Sequence, residues 1–242
     1  TDATVTVGGI AEDTIRSFER VQGGSGNDVL SGDALANVIY GLAGSDTLAG
    51  GLGDDVLRGG ADDDVLDGGA GTADWADYSD KTVAVSVTLN GATNTTMTVA
   101  GVVEDTIRNI ENVQGGLSDD MLIGDGLANE LRGLSGDDFL RGGAGNDVLE
   151  GGSGSDWADY SDKTVAVSVT LNGATGATVT VGGIAEDTIR NIERVQGGTG
   201  NDVLIGDGLV NVLRGLGGDD FLRGGAGNDV LDGGTGTADW VD

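Results

Sequence analysis

The chain is 242 residues long and carries 41 Asp plus Glu against 12 Lys plus Arg, a formal net charge of -29 with a pI of about 4.1. Such a balance makes nucleic acid and anionic membrane poor partners, so neither nucleic-acid binding nor membrane insertion is expected. Cysteine and histidine are absent, which removes disulfides, softer metal ligands and the commonest nucleophile and base pairs.

Residues 1–22 contain ATVTVGGIAEDTIRSFERVQ, the second half of a module that recurs complete further along. They are expected to be a partial inter-block module of a longer chain, whose ends say little about targeting: no initiator Met, signal peptide or transmembrane stretch is seen.

Residues 23–76 form a first block of nonapeptides: GGSGNDVLS, GDALANVIY, GLAGSDTLA, GGLGDDVLR and GGADDDVLD, broken by one extra residue at GGAGTADWA. Glycine at positions one, two and four suits a tight turn with positive φ. Asp62 and Ser118 depart from glycine at position four; Asp tolerates the left-handed region better than most residues, whereas Ser118 puts its turn in more doubt. Positions seven to nine predict a very short strand with alternating side chains, so position eight faces one way. That position holds Leu30, Ile39, Leu48, Leu57 and Leu66 here, then Leu122, Leu131, Leu140, Leu149, Leu204, Leu213, Leu222 and Leu231, a continuous aliphatic core.

Residues 77–114 are an inter-block module, followed by block 2 at 115–158, a second module at 159–196 and block 3 at 197–242 with the start of another module. In both modules VAVSVTL alternates as a strand, NG signals a turn and TMTV or TVTV returns, predicting a β-hairpin. EDTIRNIE permits either a short helix or an irregular strand entering the next block.

The ordered GGxGxDxUx units resemble the calcium-binding nonapeptides of the RTX (repeats-in-toxin, hemolysin-type) family. Three residues of strand span only about 10 Å, so one repeat cannot return the chain above its own start, whereas two can. The resemblance implies an all-β fold of parallel β-roll (β-solenoid) blocks with two nonapeptides per coil, alternate turns stacking along two edges. Position-six residues eighteen apart then face each other across about 4.8 Å. One edge of block 1 carries Asp28, Asp46 and Asp64, and the other Asn37, Asp55 and Asp74. Block 2 sets Asp120, Asp138 and Asp156 against Asn129 and Asp147; block 3 sets Asp202 and Asp220 against Asn211, Asp229 and Asp239. The turn glycines Gly23, Gly41, Gly50, Gly59, Gly115, Gly133, Gly142, Gly197, Gly215 and Gly224 are expected to add carbonyl ligands, since calcium takes about six to eight hard oxygens. Asn37, Asn129 and Asn211 accompany Asp33, Asp125 and Asp207 at position two; they could bind calcium with one charge fewer, or form an uncharged turn.

Roughly ten calcium ions would lower the formal charge to about -9 and relieve a self-repulsion that opposes compaction. With 48 glycines raising the entropy lost on folding, the chain is expected to fold only on binding calcium. Calcium is plentiful outside cells, and the family is typically exported by type I secretion machinery, so the resemblance implies a secreted, extracellular or cell-surface protein. The function expected is that of a structural spacer that assists secretion; the rival is an adhesive module binding polysaccharide or a cell surface on the same scaffold. No enzymatic activity or catalytic residue is expected in this chain, although a carboxylate pair of glycosidase type stays open among so many acids.

Three features stand outside the ladders, and the first two have two readings each. Trp75, Trp157 and Trp240, two of them followed by Tyr78 and Tyr160, are expected to cover the ends of the rolls, with sugar stacking as the alternative. Apolar residues at position seven, including Val29, Val56, Phe139 and Phe221, form an interface or are packed by the hairpins. Arg132 and Arg214 are expected beside Glu150 and Asp232 in adjacent coils, as exposed ion pairs of a few tenths of a kcal/mol.

Overall fold

The computed structural model describes residues 3–7, 10–15 and 18–242, which are all-β with no helix. The chain divides into two compact units, Thr1–Leu117 and Ser118–Asp242. In both, successive nonapeptides alternate between two sheets, so that every second repeat stacks in parallel.

In the first unit Val29–Ser31, Thr47–Leu52 and Val65–Ala70 stack in one sheet, with Leu30 level with Leu48 and Leu48 level with Leu66. Arg20–Gln22, Val38–Ala43, Val56–Ala61, Trp75–Asp77 and Asn112–Gln114 stack in the other. In the second unit one sheet is wholly parallel: Met121–Ile123, Phe139–Arg141, Trp157–Asp159, Arg194–Gln196, Val212–Arg214 and Val230–Asp232.

Position eight fills the interior, and residues from Leu30 to Leu222 in that register are at most 2% exposed; Leu231, on the last turn, is only half-buried. Several strands run on through positions one to three and reach six residues, longer than the nonapeptide pattern predicts. There the backbones approach closely. A Cβ on Gly60 (φ 115°) would strike the Leu42 carbonyl of the coil before. Leu42, Leu134 and Leu216 hold positive φ without being glycine, at a cost of about 1–3 kcal/mol each. Asp62 takes φ 75°, as its tolerance of the left-handed region allows, whereas Ser118 has no need of positive φ.

The modules differ from the predicted hairpin. Val85–Thr88, Thr95–Val99 and Val102–Arg108 form a three-stranded antiparallel meander whose last strand lies parallel to Val65–Ala70. Its counterpart, Val167–Thr170, Ala177–Val181 and Ile184–Arg190, is inserted within a sheet, parallel to Val148–Ser153 on one side and Val203–Ile205 on the other. The meander extends the sheet sideways and does not lie over it. Val29 and Val65 therefore stay exposed, so the hairpins do not pack over the position-seven stripe.

EDTIRNIE is strand and not helix, and its register explains why. Thr106, Ile107 and Arg108 lie level with Val65, Leu66 and Asp67, and Asn112, Val113 and Gln114 with Trp75, Ala76 and Asp77. The segment is thus two trimmed repeats, Asp105–Arg108 and Glu111–Gln114, joined by Asn109 and Ile110 alone. Asn109 and its counterpart Asn191 take φ 50° and 49° to make so short a turn.

The tryptophans do not cap the rolls. Trp75 and Trp157 stand at the outward position seven, with Ala76 and Ala158 buried at position eight and further strands stacked beyond them. Trp240 is 70% exposed. Tyr78 and Tyr160 instead plug the interior where each module begins. Arg132 and Arg214 do lie level with Glu150 and Asp232, but Arg132 pairs with Glu130 at 2.6 Å, Arg190 takes Glu150, and Arg214 lies 4.6 Å from the Trp157 ring centroid. Among the described residues no helix is long and apolar enough to cross a membrane.

Candidate metal sites

Where a coil of the same roll precedes it, a position-six carboxylate uses its two oxygens separately. Oδ1 accepts the amide of the position-six residue one coil back, whereas Asp202 Oδ1, at the start of its roll, accepts the Val167 amide at 2.8 Å. Asp28 N–H donates to Asp46 at 2.8 Å, Asp46 to Asp64 at 2.8 Å, Asn37 to Asp55 at 2.7 Å and Asp55 to Asp74 at 2.7 Å. In the second unit Asp120 donates to Asp138 and Asp138 to Asp156, both at 2.8 Å, and Asn129 to Asp147 at 2.9 Å. Asp202 donates to Asp220 at 2.8 Å, and Asn211 to Asp229 and Asp220 to Asp239 at 3.0 Å. Asp239 therefore stands on the Asp202 and Asp220 edge, not with Asn211 and Asp229. The extra residue in its turn is absorbed locally, and strict alternation of repeats decides the edge.

The trimmed repeats continue these ladders. Asp64 N–H donates to Asp105 and Asp147 N–H to Asp187, both at 2.9 Å; Asp74 donates to Glu111 at 3.0 Å and Asp156 to Glu193 at 3.1 Å. These four module acids were missed in the sequence because the glycines that mark a repeat are gone. The surviving signal is D-x-U-x followed by E-x-U-x.

Oδ2 is left over. In Asp46, Asp55, Asp64, Asp74, Asp138, Asp147, Asp156 and Asp220 it is buried and has no hydrogen-bond partner. It faces the position-one glycine of its own turn, where a Cβ would find no room. On Gly41 that Cβ would lie within 3.0 Å of both Asp46 Oδ2 and the Gly59 carbonyl oxygen; on Gly50, of Asp55 and Gly68; on Gly133, of Asp138 and Gly151; on Gly215, of Asp220 and Gly233. Gly23 and Gly197 see Asp28 and Asp202 with the Gly41 and Gly215 carbonyls, while Gly59, Gly142 and Gly224 close on their own carboxylates, Asp64, Asp147 and Asp229. Gly115 is buried at the same position of its turn. Absence of a side chain thus leaves a carboxylate and a carbonyl converging on one small space.

At the first turns the oxygens are already engaged. Asp28 and Asp202 Oδ2 accept the Gly24 and Gly198 amides at 2.7 Å. Asn37 Oδ1 accepts Asp33 N–H at 2.8 Å while Asp33 accepts from Leu35 at 2.9 Å, and Asn129 with Asp125 and Asn211 with Asp207 repeat the arrangement. Each of these asparagine side-chain oxygens is thus engaged by a backbone amide of its own turn.

Burial pushes the carboxyls up: Asp64, Asp138 and Asp147 to about 7, Asp55 and Asp156 to about 6. Neighbouring carboxylates add to the rise, and the backbone amide each accepts pulls against it. Stacked anions of this kind require a cation or protons. Among the described residues no three acidic side chains are arranged to hold a metal ion by themselves, so each space offers one carboxylate and backbone carbonyls. All are hard oxygen donors, a set that fits calcium.

The family defined by the RTX calcium-binding nonapeptide repeat (4 copies) matches residues 18–48, 40–72, 123–158, 191–208 and 205–237, more than half of the chain. The chain belongs to the RTX repeat family. It is a calcium-binding repeat module folded as a β-solenoid. The RTX match leaves out residues 73–122 and 159–190, where the meanders and three of the four module acids lie. Comparison with curated proteins gave no match.

Proposed function

We propose that this RTX module is disordered until it meets calcium outside the cell, and then folds into a stiff spacer that assists secretion of the protein carrying it. Calcium is held between stacked turns by the position-six aspartates and the position-one glycine carbonyls, on the order of ten ions in all. The observation that carries this reading is the row of buried Oδ2 atoms without partners, each facing a glycine position that a side chain would fill. With its carboxylates ionised such a row is tolerable only if a cation completes it, because an unpaired buried charge opposes folding by several kcal/mol. Scarce cytosolic calcium would leave the chain extended during type I export, and plentiful extracellular calcium would fold it on arrival. Glycan binding receives less support: the Trp157 ring lies near the Arg194 and Arg214 guanidiniums, at 5.9 and 4.6 Å from its centroid, and is not an open stacking platform.

The test is far-UV circular dichroism during a calcium titration of the chelator-stripped chain, with magnesium as control. A cooperative gain of β signal with calcium alone is expected. A fully folded spectrum in excess chelator would overturn the coupling and favour a constitutive adhesive scaffold.

A further inference from the structure

One residue of each module is turned toward the roll that precedes it. Asn109, in the two-residue link between the trimmed repeats, takes φ 50°, and its counterpart Asn191 takes φ 49°. Two hydrogen bonds hold it there. The Asn109 amide donates to the Gly91 carbonyl at 2.8 Å, in the first turn of the meander, and Asn109 Nδ2 donates to Asp67 Oδ1 at 2.7 Å, at position nine of a roll strand. Asn191 repeats both, with the Gly173 carbonyl at 2.9 Å and with Glu150.

Held in this way, the asparagine carbonyl meets a carboxylate of the roll. A Cβ on Gly68 would lie within 3.0 Å of both the Asn109 carbonyl oxygen and Asp74 Oδ2, and one on Gly151 within 3.0 Å of both the Asn191 carbonyl oxygen and Asp156 Oδ2. Inside the rolls the oxygen that meets a carboxylate in such a space is a glycine carbonyl, Gly59 beside Asp46 and Gly151 beside Asp138. Here it comes from the module. Asp74 and Asp156 have no exposure, and the Oδ2 atom of each is buried without a hydrogen-bond partner. Their Oδ1 atoms are occupied, by the Asp55 and Asp138 amides at 2.7 and 2.8 Å. Two hard oxygens so close to one point are near enough to share an ion whose ligands lie at about 2.3–2.6 Å. The other edge shows no such pair: the atoms nearest to a Cβ on Gly59 or Gly142 all belong to the carboxylate side chain of the same turn, Asp64 or Asp147.

We propose that each module shares a calcium site with the roll before it, between Asp74 and the Asn109 carbonyl and between Asp156 and the Asn191 carbonyl, and that this ion seats the module. The asparagine that helps to hold the ion also holds the meander, through Gly91 or Gly173, so calcium orders a segment that has no glycine repeat of its own. Loss of the junction ion loosens the meander while the coils inside the roll keep their ions. This rests on the reading above that position-six aspartates hold calcium.

Native mass spectrometry of the full chain at saturating calcium, with hydrogen exchange on the same samples, tests it. Asp74→Asn with Asp156→Asn keeps both Oδ1 acceptors and removes both charges. This pair is expected to lose about two ions. Amides of the meanders, residues 85–108 and 167–190, and of Asn109 and Asn191 should exchange about tenfold faster or more, with the roll interior still protected. Should the pair fail to fold, Asp74→Asn alone decides, by loss of about one ion and faster exchange in 85–108 but not in 167–190. Asp46→Asn is the control inside a roll, expected to lose about one ion and to keep both meanders protected. A wild-type count in the junction variants while the control loses its ion overturns the proposal, and so does loss of ions with the meanders fully protected. If neither the control nor the pair loses an ion, it is the calcium reading of the ladder that fails.

Discussion

Asp46 and Asp64 stand eighteen residues apart and are joined by one hydrogen bond: the Asp46 amide donates to Asp64 Oδ1 at 2.8 Å, while Asp64 Oδ2 is buried without a partner. One carboxylate thus ties two coils together and still offers an oxygen to a cation. Its two atoms can be separated by mutation, because asparagine keeps the acceptor and removes the charge.

Asp138→Asn should therefore act in opposite directions with and without calcium. With calcium present the variant loses a charged ligand and is expected to be destabilised by about 1–3 kcal/mol. In chelator it relieves repulsion from Asp120 and Asp156 and should be neutral or slightly stabilising. Denaturant titrations in both conditions check this, and destabilisation of equal size in both would mean that Oδ2 has no metal role.

Gly133→Ala places a methyl group within 3.0 Å of Asp138 Oδ2 and the Gly151 carbonyl oxygen. The loss of about one bound ion is expected, with destabilisation of about 1–3 kcal/mol from overpacking alone. Gly126→Ala, whose Cβ would meet nothing within 4 Å, should keep every ion. Calorimetric stoichiometry of the two variants compares them directly.

The pH dependence should invert with calcium. Asp64, Asp138 and Asp147 titrate at about 7 in the folded chain without metal, against a usual value of 3.8. The metal-free fold consequently binds protons that the unfolded chain does not. Their contribution is fully present below about pH 4 and is lost as pH rises through 7. Calcium takes the deprotonated form, so the calcium concentration at half-folding should rise as pH falls from 7 toward 5. A calcium midpoint independent of pH over that range would contradict the burial of these carboxyls.

Core truncation should cost more inside a roll than at its end. Leu131→Ala removes a side chain with no exposure and is expected to destabilise the calcium-loaded chain by about 2–5 kcal/mol. Leu231→Ala, at a half-buried position on the last turn, should cost clearly less. Thermal unfolding in saturating calcium distinguishes them, and equal losses would mean that Leu231 is covered in solution.

The repeat by itself determined the coil, the core and the ladders. Period nine with one aliphatic residue at position eight leaves a single way to bury Leu30, Leu48 and Leu66 together, and eighteen-residue spacing then aligns Asp28, Asp46 and Asp64. These are local rules repeated, so they could be read locally. Only the tertiary structure decided what happens where the period breaks. EDTIRNIE was ambiguous because two turns had shrunk to Asn109–Ile110 and Asn191–Ile192, and pairing with distant strands, not the segment's own apolar spacing, fixes it as Asp105 and Glu111 in register with Asp64 and Asp74. Trp75 and Trp157 were expected as caps because their blocks end there in sequence, yet the coil continues through Asn112–Gln114 and Arg194–Gln196 and turns both rings outward. Lys81 lies twenty-one residues from the Gly60 carbonyl that it binds, and no period in the sequence connects the two. That contact exists only once the coils are stacked, because the carbonyl belongs to a turn of the roll and the lysine to the module.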